Sequence, residues 1–138
     1  AENSNFGLEK QQFNLPQLDK MHPRASFQFM LQISCRHLRK MDAFGLSDPY
    51  YTLKYTPLHG EPVLVHKSEI ILSSLNPNFE PVLMDDWMLC EGRMSDKCIR
   101  LDVLDYDEYG GDDKIGHIEV SLDDLIHLGK AGRTQPLI

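Results

Sequence analysis

From Ser26 onward the chain alternates apolar and polar residues in short runs. In SFQFMLQIS (26–34), Phe27, Phe29, Leu31 and Ile33 interleave with Ser26, Gln28, Met30 and Gln32. A period of two sends successive side chains to opposite faces, so the run predicts a strand with one buried face. PYYTLKYT, from Pro49, alternates too and is rich in Tyr and Thr. VLVHKSEIIL predicts a further strand. SLNPNFEPV predicts a turn at Asn76-Pro77 and a short strand from Phe79. CIRLDVLDY places Ile99, Leu101 and Val103 on one face, and IGHIEVSL predicts another strand. Only SLDDLIHL (121–128) has a helical pattern, with Ser121 as N-cap and Asp124 completing a variant of the capping box. Residues 1–25 show no period and carry Pro16 and Pro23, which predicts an irregular extension or linker before a domain over 26–138. Short strands separated by turns predict an antiparallel β-sandwich.

Composition narrows the function classes. The 138 residues suffice for one domain with a hydrophobic core. A net charge of -7 argues against nucleic acid as a partner, because phosphate binding needs clustered Lys and Arg. Cys35, Cys90 and Cys98 form no CxxC pair, which argues against a zinc site or disulfide framework and favours a reducing, cytoplasmic setting. No apolar run is long enough to span a bilayer. The six histidines show no ligand spacing. GLSDP is not a nucleophile elbow, and no phosphate-cradling GxxxxGK is present, so the chain reads as a binding module and not as an enzyme.

The acids stand out from this background. DYDEYGGDDK (105–114) holds Asp105, Asp107, Glu108, Asp112 and Asp113 around Gly110 and Gly111. RKMDAFGLSDPY holds Asp42 and Asp48, six residues apart. If both loops leave the sandwich at one end, the carboxylates converge and need a cation or a proton to coexist. A set of hard oxygen ligands without His or Cys suits Ca²⁺, which takes about six to eight oxygens in irregular geometry, better than Mg²⁺. An EF-hand is excluded: counting from Asp105, position 5 is Tyr109 and position 12 is Gly116, so the closing glutamate is missing. The two glycines are expected to let the chain turn beside the ion.

Three segments carry a family resemblance. KMDAFGLSDPYYTLKY, SEIILSSLNPNFEP and LDVLDYDEYGGDDKIG, in that order, resemble the signature segments of a C2 domain over about residues 26–138. Together with WMLCEGRMSDKCIRLDV, the acidic loop is most similar to copine-type C2 domains, the first ones in particular. The resemblance implies an eight-stranded antiparallel β-sandwich with one short helix near the C-terminus. It implies Asp42 and Asp48 as ligands from the first loop and Asp105, Asp107 and Asp113 from the third, with backbone carbonyls of Met41 and Tyr106. Gly110 stands where some members carry a Ser serving a further ion, so two Ca²⁺ are expected, with three as the alternative. Glu108 and Asp112 are off-pattern and read as solvated charges, Asp112 with a water-mediated contact as an option. Phe44, Tyr109 and, third, Leu46 are the implied membrane-inserting tips. Lys54 and Lys67 are candidates for a second lipid-headgroup site, weighed against two ordinary solvated lysines.

A mechanism follows from charge. Without metal, the acidic end repels anionic headgroups. Two Ca²⁺ bring four positive charges against five carboxylates and leave coordination positions for lipid oxygens, which makes an electrostatic switch. The expected partner is an anionic, phosphatidylserine-like membrane, with protein partners reached through attached domains. The domain is expected to be a monomer, cytoplasmic, and peripheral to the membrane when calcium rises, in trafficking or signalling. The alternative is a protein-interaction scaffold with purely structural calcium.

Overall fold

The computed structural model describes residues 27–41 and 45–138. The expected extension over 1–25 lies outside the described residues. Among the described residues, six strands and two helices follow in order: β1 (Gln28–Leu31), β2 (Pro49–Tyr55), β3 (Val63–Lys67), β4 (Val82–Asp85), α1 (Asp86–Cys90), β5 (Ile99–Asp105), β6 (Asp113–Val120) and α2 (Leu122–Ala131). All pairings are antiparallel. One sheet has the order β3-β2-β5-β6 and the other pairs β1 with β4.

Alternation explains the core. Leu53, Leu101 and Ile118 share one register row of the larger sheet, and Tyr55, Ile99 and Val120 share another. All six are buried. They belong to one cluster with Phe29 and Leu31 of β1, Met84 of β4 and Phe79. Tyr51 meets Phe79 edge-on, ring centres 5.0 Å apart, in the T-shaped arrangement that aromatic quadrupoles favour.

Helix α2 starts where the sequence places it. Ser121 Oγ accepts the Asp124 N–H at 3.0 Å, and Asp124 Oδ2 accepts the Ser121 N–H at 2.9 Å. The helix runs three residues past the expected end and stops at Gly132, whose φ is +64°, a conformation glycine adopts without steric cost. Helix α1 was not expected. It forms because Asp85 accepts the Met88 N–H at 2.8 Å, and Glu91 at φ +50° closes the last turn onto the Trp87 carbonyl. The strand expected over 63–72 ends at Lys67, and the one expected from Phe79 begins at Val82.

At the other edge, His117 and Ile138 exchange both backbone hydrogen bonds, at 2.8 and 3.2 Å, so the last described residue pairs with β6. The described cysteines are free thiols. Burial is the leading cause that pushes the thiols of Cys35 and Cys90 up to about 11, which keeps them protonated and unreactive at neutral pH. Among the described residues, no helix is long and apolar enough to cross a membrane.

Candidate functional site

The acidic end of the larger sheet is an extension of its core rows. Residues 99, 101, 103 and 105 of β5 share a face, so Asp105 continues the line of Ile99, Leu101 and Val103. It is 3% exposed for that reason. In register, Asp105 lies opposite Pro49 on β2 and Asp113 on β6. The start of β2, the end of β5 and the start of β6 therefore meet, and the loops before β2 and after β5 leave at one end.

Backbone donors tie these loops together. Asp105 Oδ1 accepts the Asp48 N–H at 2.8 Å. The Tyr106 N–H returns to the Asp48 carbonyl at 3.0 Å. Asp48 Oδ1 accepts the Ser73 N–H at 2.7 Å, and the Ser74 N–H reaches the Ser47 carbonyl at 2.8 Å. A third segment, the loop after β3, is thereby stitched to the first. Each bond from an amide to a carboxylate replaces part of the hydration lost on burial.

In the loop after β5, Asp107 Oδ1 accepts the Tyr109 N–H at 2.9 Å. A Cβ at Gly110 would stand 3.1 Å from Asp107 Oδ2. Neither Gly110 nor Gly111 has a positive φ. The chain bends over residues 108–110 without a left-handed glycine, and Gly110 gives room to the Asp107 carboxylate. Asp112 is not merely a solvated charge, because Oδ1 accepts the Asp107 N–H at 2.9 Å and Oδ2 accepts the Tyr50 hydroxyl. These two bonds, the tyrosine's first, hold its carboxyl below the usual range. Burial first, then the same bond, pushes the Tyr50 hydroxyl up to about 12. Glu108 is exposed, as its reading as a solvated charge requires.

The site residues from the sequence divide as follows. Asp48, Asp105 and Asp113 are brought to one end by register, and Asp107 lies in the loop that joins β5 to β6. Asp42 and Phe44 lie outside the described residues. Met41 is half-buried against the core, and Tyr106 is exposed. Tyr109 is 92% exposed and Leu46 is 45% exposed. Sequence reasoning missed Leu72, 70% exposed in the loop stitched to Asp48. Its signal was present in EIIL, an apolar run continued past the strand end at Lys67. Lys67 projects over the Tyr50 ring, 5.0 Å from its centre. Lys54 and Lys67 share a sheet face, since Lys67 lies opposite Thr52. That face also carries Asp102, paired with Arg100 at 3.0 Å and Lys114 at 3.6 Å, which offsets much of its positive charge.

The donor set fits a hard cation in kind: carboxylate and carbonyl oxygens only. Among the described residues, however, no three acidic, His or Cys side chains stand close enough to hold an ion as they are.

The sequence profile described as the C2 domain matches residues 30–137. The protein BONZAI 2 of Arabidopsis thaliana is 31% identical over 97 residues, which is 70% of this chain and 16% of that protein. Copine-B of Dictyostelium discoideum is 36% identical over 98 residues, 71% of this chain and 18% of that protein. The chain thus spans less than a fifth of these relatives. A solved structure titled BON1-C2B superposes with a TM-score of 0.69 at 28% identity, covering 81% of this chain and 74% of that one. Its label is C2B, so the narrower expectation of a first copine C2 domain gains nothing from it. The stitched loops, the two-sheet core and these matches lead to one conclusion: the chain belongs to the C2 domain family, with BONZAI and copine proteins among its relatives.

Proposed function

We propose that this C2 domain is a calcium-dependent phospholipid-binding module that docks its acidic loop end on anionic membranes and recruits whatever domains are attached to it. The observation that carries the reading is the register row Pro49–Asp105–Asp113, which joins the first and third acidic loops at one sheet end beside exposed apolar tips. Asp42, Asp48, Asp105, Asp107 and Asp113 hold two Ca²⁺, with carbonyls of Met41 and Tyr106. Bound calcium supplies positive charge and open coordination positions for headgroup oxygens.

The chain's own residues do the rest. Asp105 and Asp48 fix the spacing of the two loops through their shared hydrogen bond. Asp107 holds the Tyr109 amide and so controls the course of the tip. Tyr109, Leu46, Leu72 and Phe44 then enter the headgroup region. Full burial of a large apolar side chain is worth about 1.5–3 kcal/mol, so each half-buried tip adds about 1 kcal/mol. A few such tips with bridging ions give reversible attachment. The module carries no catalytic group of its own, acts as a monomer at the membrane periphery, and meets protein partners through neighbouring domains. Lys54 and Lys67 provide at most an auxiliary headgroup contact, because Asp102, opposite Thr52 on the same face and ion-paired with Arg100 and Lys114, offsets part of the positive charge there.

Co-sedimentation with phosphatidylserine vesicles tests this. Pelleting is expected in calcium and not in EGTA, and Asp105→Asn with Asp107→Asn abolishes it. Equal pelleting in calcium and EGTA contradicts the switch. Calcium binding without any vesicle binding favours the protein-interaction scaffold instead.

A further inference from the structure

Asp112 and Tyr50 are left over by the ligand pattern, yet they make the best-connected contact of the acidic loop. Tyr50 is nearly buried. Its backbone pairs with Leu104 in the centre of the larger sheet, and Lys67 lies over its ring. Its position is therefore fixed by the rigid part of the fold. Its hydroxyl reaches across to Asp112 Oδ2, while Asp112 Oδ1 takes the Asp107 N–H. Asp107 in turn holds the Tyr109 N–H. A chain of three hydrogen bonds thus runs from the sheet through the acidic loop to its exposed tip. Both Asp112 oxygens accept hydrogen bonds within the protein.

We propose that Tyr50 and Asp112 form a staple that fixes the course of the acidic loop and the placement of Asp107, and thereby sets the calcium affinity of the site without touching the ion. The second half rests on the calcium reading above; the first half does not. The physical basis is preorganisation: a loop already ordered loses less conformational entropy when its carboxylates close on a cation. Tyr50 and Asp112 are positioning residues.

Tyr50→Phe is the informative variant, since it keeps the ring, its packing and the loop's charge. In EGTA, amide hydrogen exchange at Asp107 is expected to accelerate about 2- to 13-fold, the factor that a hydrogen bond of about 0.5–1.5 kcal/mol protects. The Asp48 amide, bonded to Asp105, should not change. By calorimetry, calcium affinity should fall about 3- to 10-fold with the number of ions unchanged. Asp112→Ala should lose more, because it removes both hydrogen bonds of the carboxylate and a charge near the site. Adding Tyr50→Phe to it should cost nothing further, as expected of two members of one contact. Unchanged exchange at Asp107 in Tyr50→Phe overturns the staple whatever calcium does. Altered exchange with unaltered calcium affinity overturns its role at the metal site. A wild-type domain that binds no calcium contradicts the proposed function, and the staple then stands or falls by the exchange measurement.

Discussion

Asp105 carries two burdens that a pair of substitutions separates. It is almost fully buried and accepts the Asp48 amide at 2.8 Å. Asp105→Ala leaves that amide without its acceptor, and a hydrogen bond to a charged group is worth about 1.5–3 kcal/mol. Asp105→Asn keeps an oxygen in place, so its loss is that of charge assistance alone, about 1 kcal/mol. For a domain of this size, 1 kcal/mol moves the melting temperature by about 4 °C. In EGTA, the alanine variant is expected to melt about 6–12 °C below wild type, and the asparagine variant about 4 °C below. Calcium widens the gap. At about 100 times its dissociation constant, one bound ion stabilises the folded state by about 2.7 kcal/mol. Wild type should gain about 10 °C for each ion bound, and neither variant should gain. Differential scanning calorimetry in EGTA and in calcium reads all six values. If alanine and asparagine melt together in EGTA, Asp105 does not bridge the loops. If Asp105→Asn keeps the calcium gain, Asp105 is not a ligand.

Tyr109→Ala and Leu72→Ala should each weaken calcium-dependent vesicle binding about 5- to 10-fold, the equivalent of about 1 kcal/mol, and leave lipid-free calcium affinity unchanged in a calorimetric titration. Gly116→Ala should destabilise by about 1–3 kcal/mol in chemical unfolding, because its Cβ would stand 2.8 Å from the Leu137 Cβ. Burial opposes ionisation of Asp102, but Arg100 foremost, then Lys114 and Lys54, outweigh it and hold its carboxyl below the usual range. A carboxyl lowered in the folded state stabilises above its unfolded pKa of about 3.9 and loses that contribution as pH falls through its folded value. Asp102→Asn should therefore be less stable than wild type at pH 7, with the gap closing below about pH 4 in a series of denaturant titrations.

The sandwich was legible because β2 and β5 bury one face, and their alternation survives in the sequence from Tyr51 to Tyr55 and from Ile99 to Val103. Pairing between strands was not, since register depends on partners distant along the chain. That is why the row Pro49–Asp105–Asp113, with Asp48 bonded beside it, emerged only from the structure, although the acids themselves were plain. Helix α1 escaped because five residues cannot show a helical period, and its stability comes from the Asp85 cap and burial of Leu89 and Cys90. Gly110 was read for its conformational freedom, when its use is the space it leaves to Asp107. Asp112 is exposed as expected, but its bond to Tyr50 was not legible because that partner lies 62 residues earlier. Leu72 was lost inside an apolar run assigned wholly to a strand. The strand register and the Tyr50–Asp112 bond are contacts across the fold, which no local pattern encodes.

The central claim is that two loops far apart in sequence make one calcium site. The most direct test is a calorimetric calcium titration of the lipid-free domain, as wild type and with Asp48→Asn from the first loop or Asp107→Asn from the third. Binding of two ions by wild type, weakened at least tenfold by either substitution alone, is the predicted result. Binding that either variant leaves intact, or no binding by wild type, would contradict a shared site.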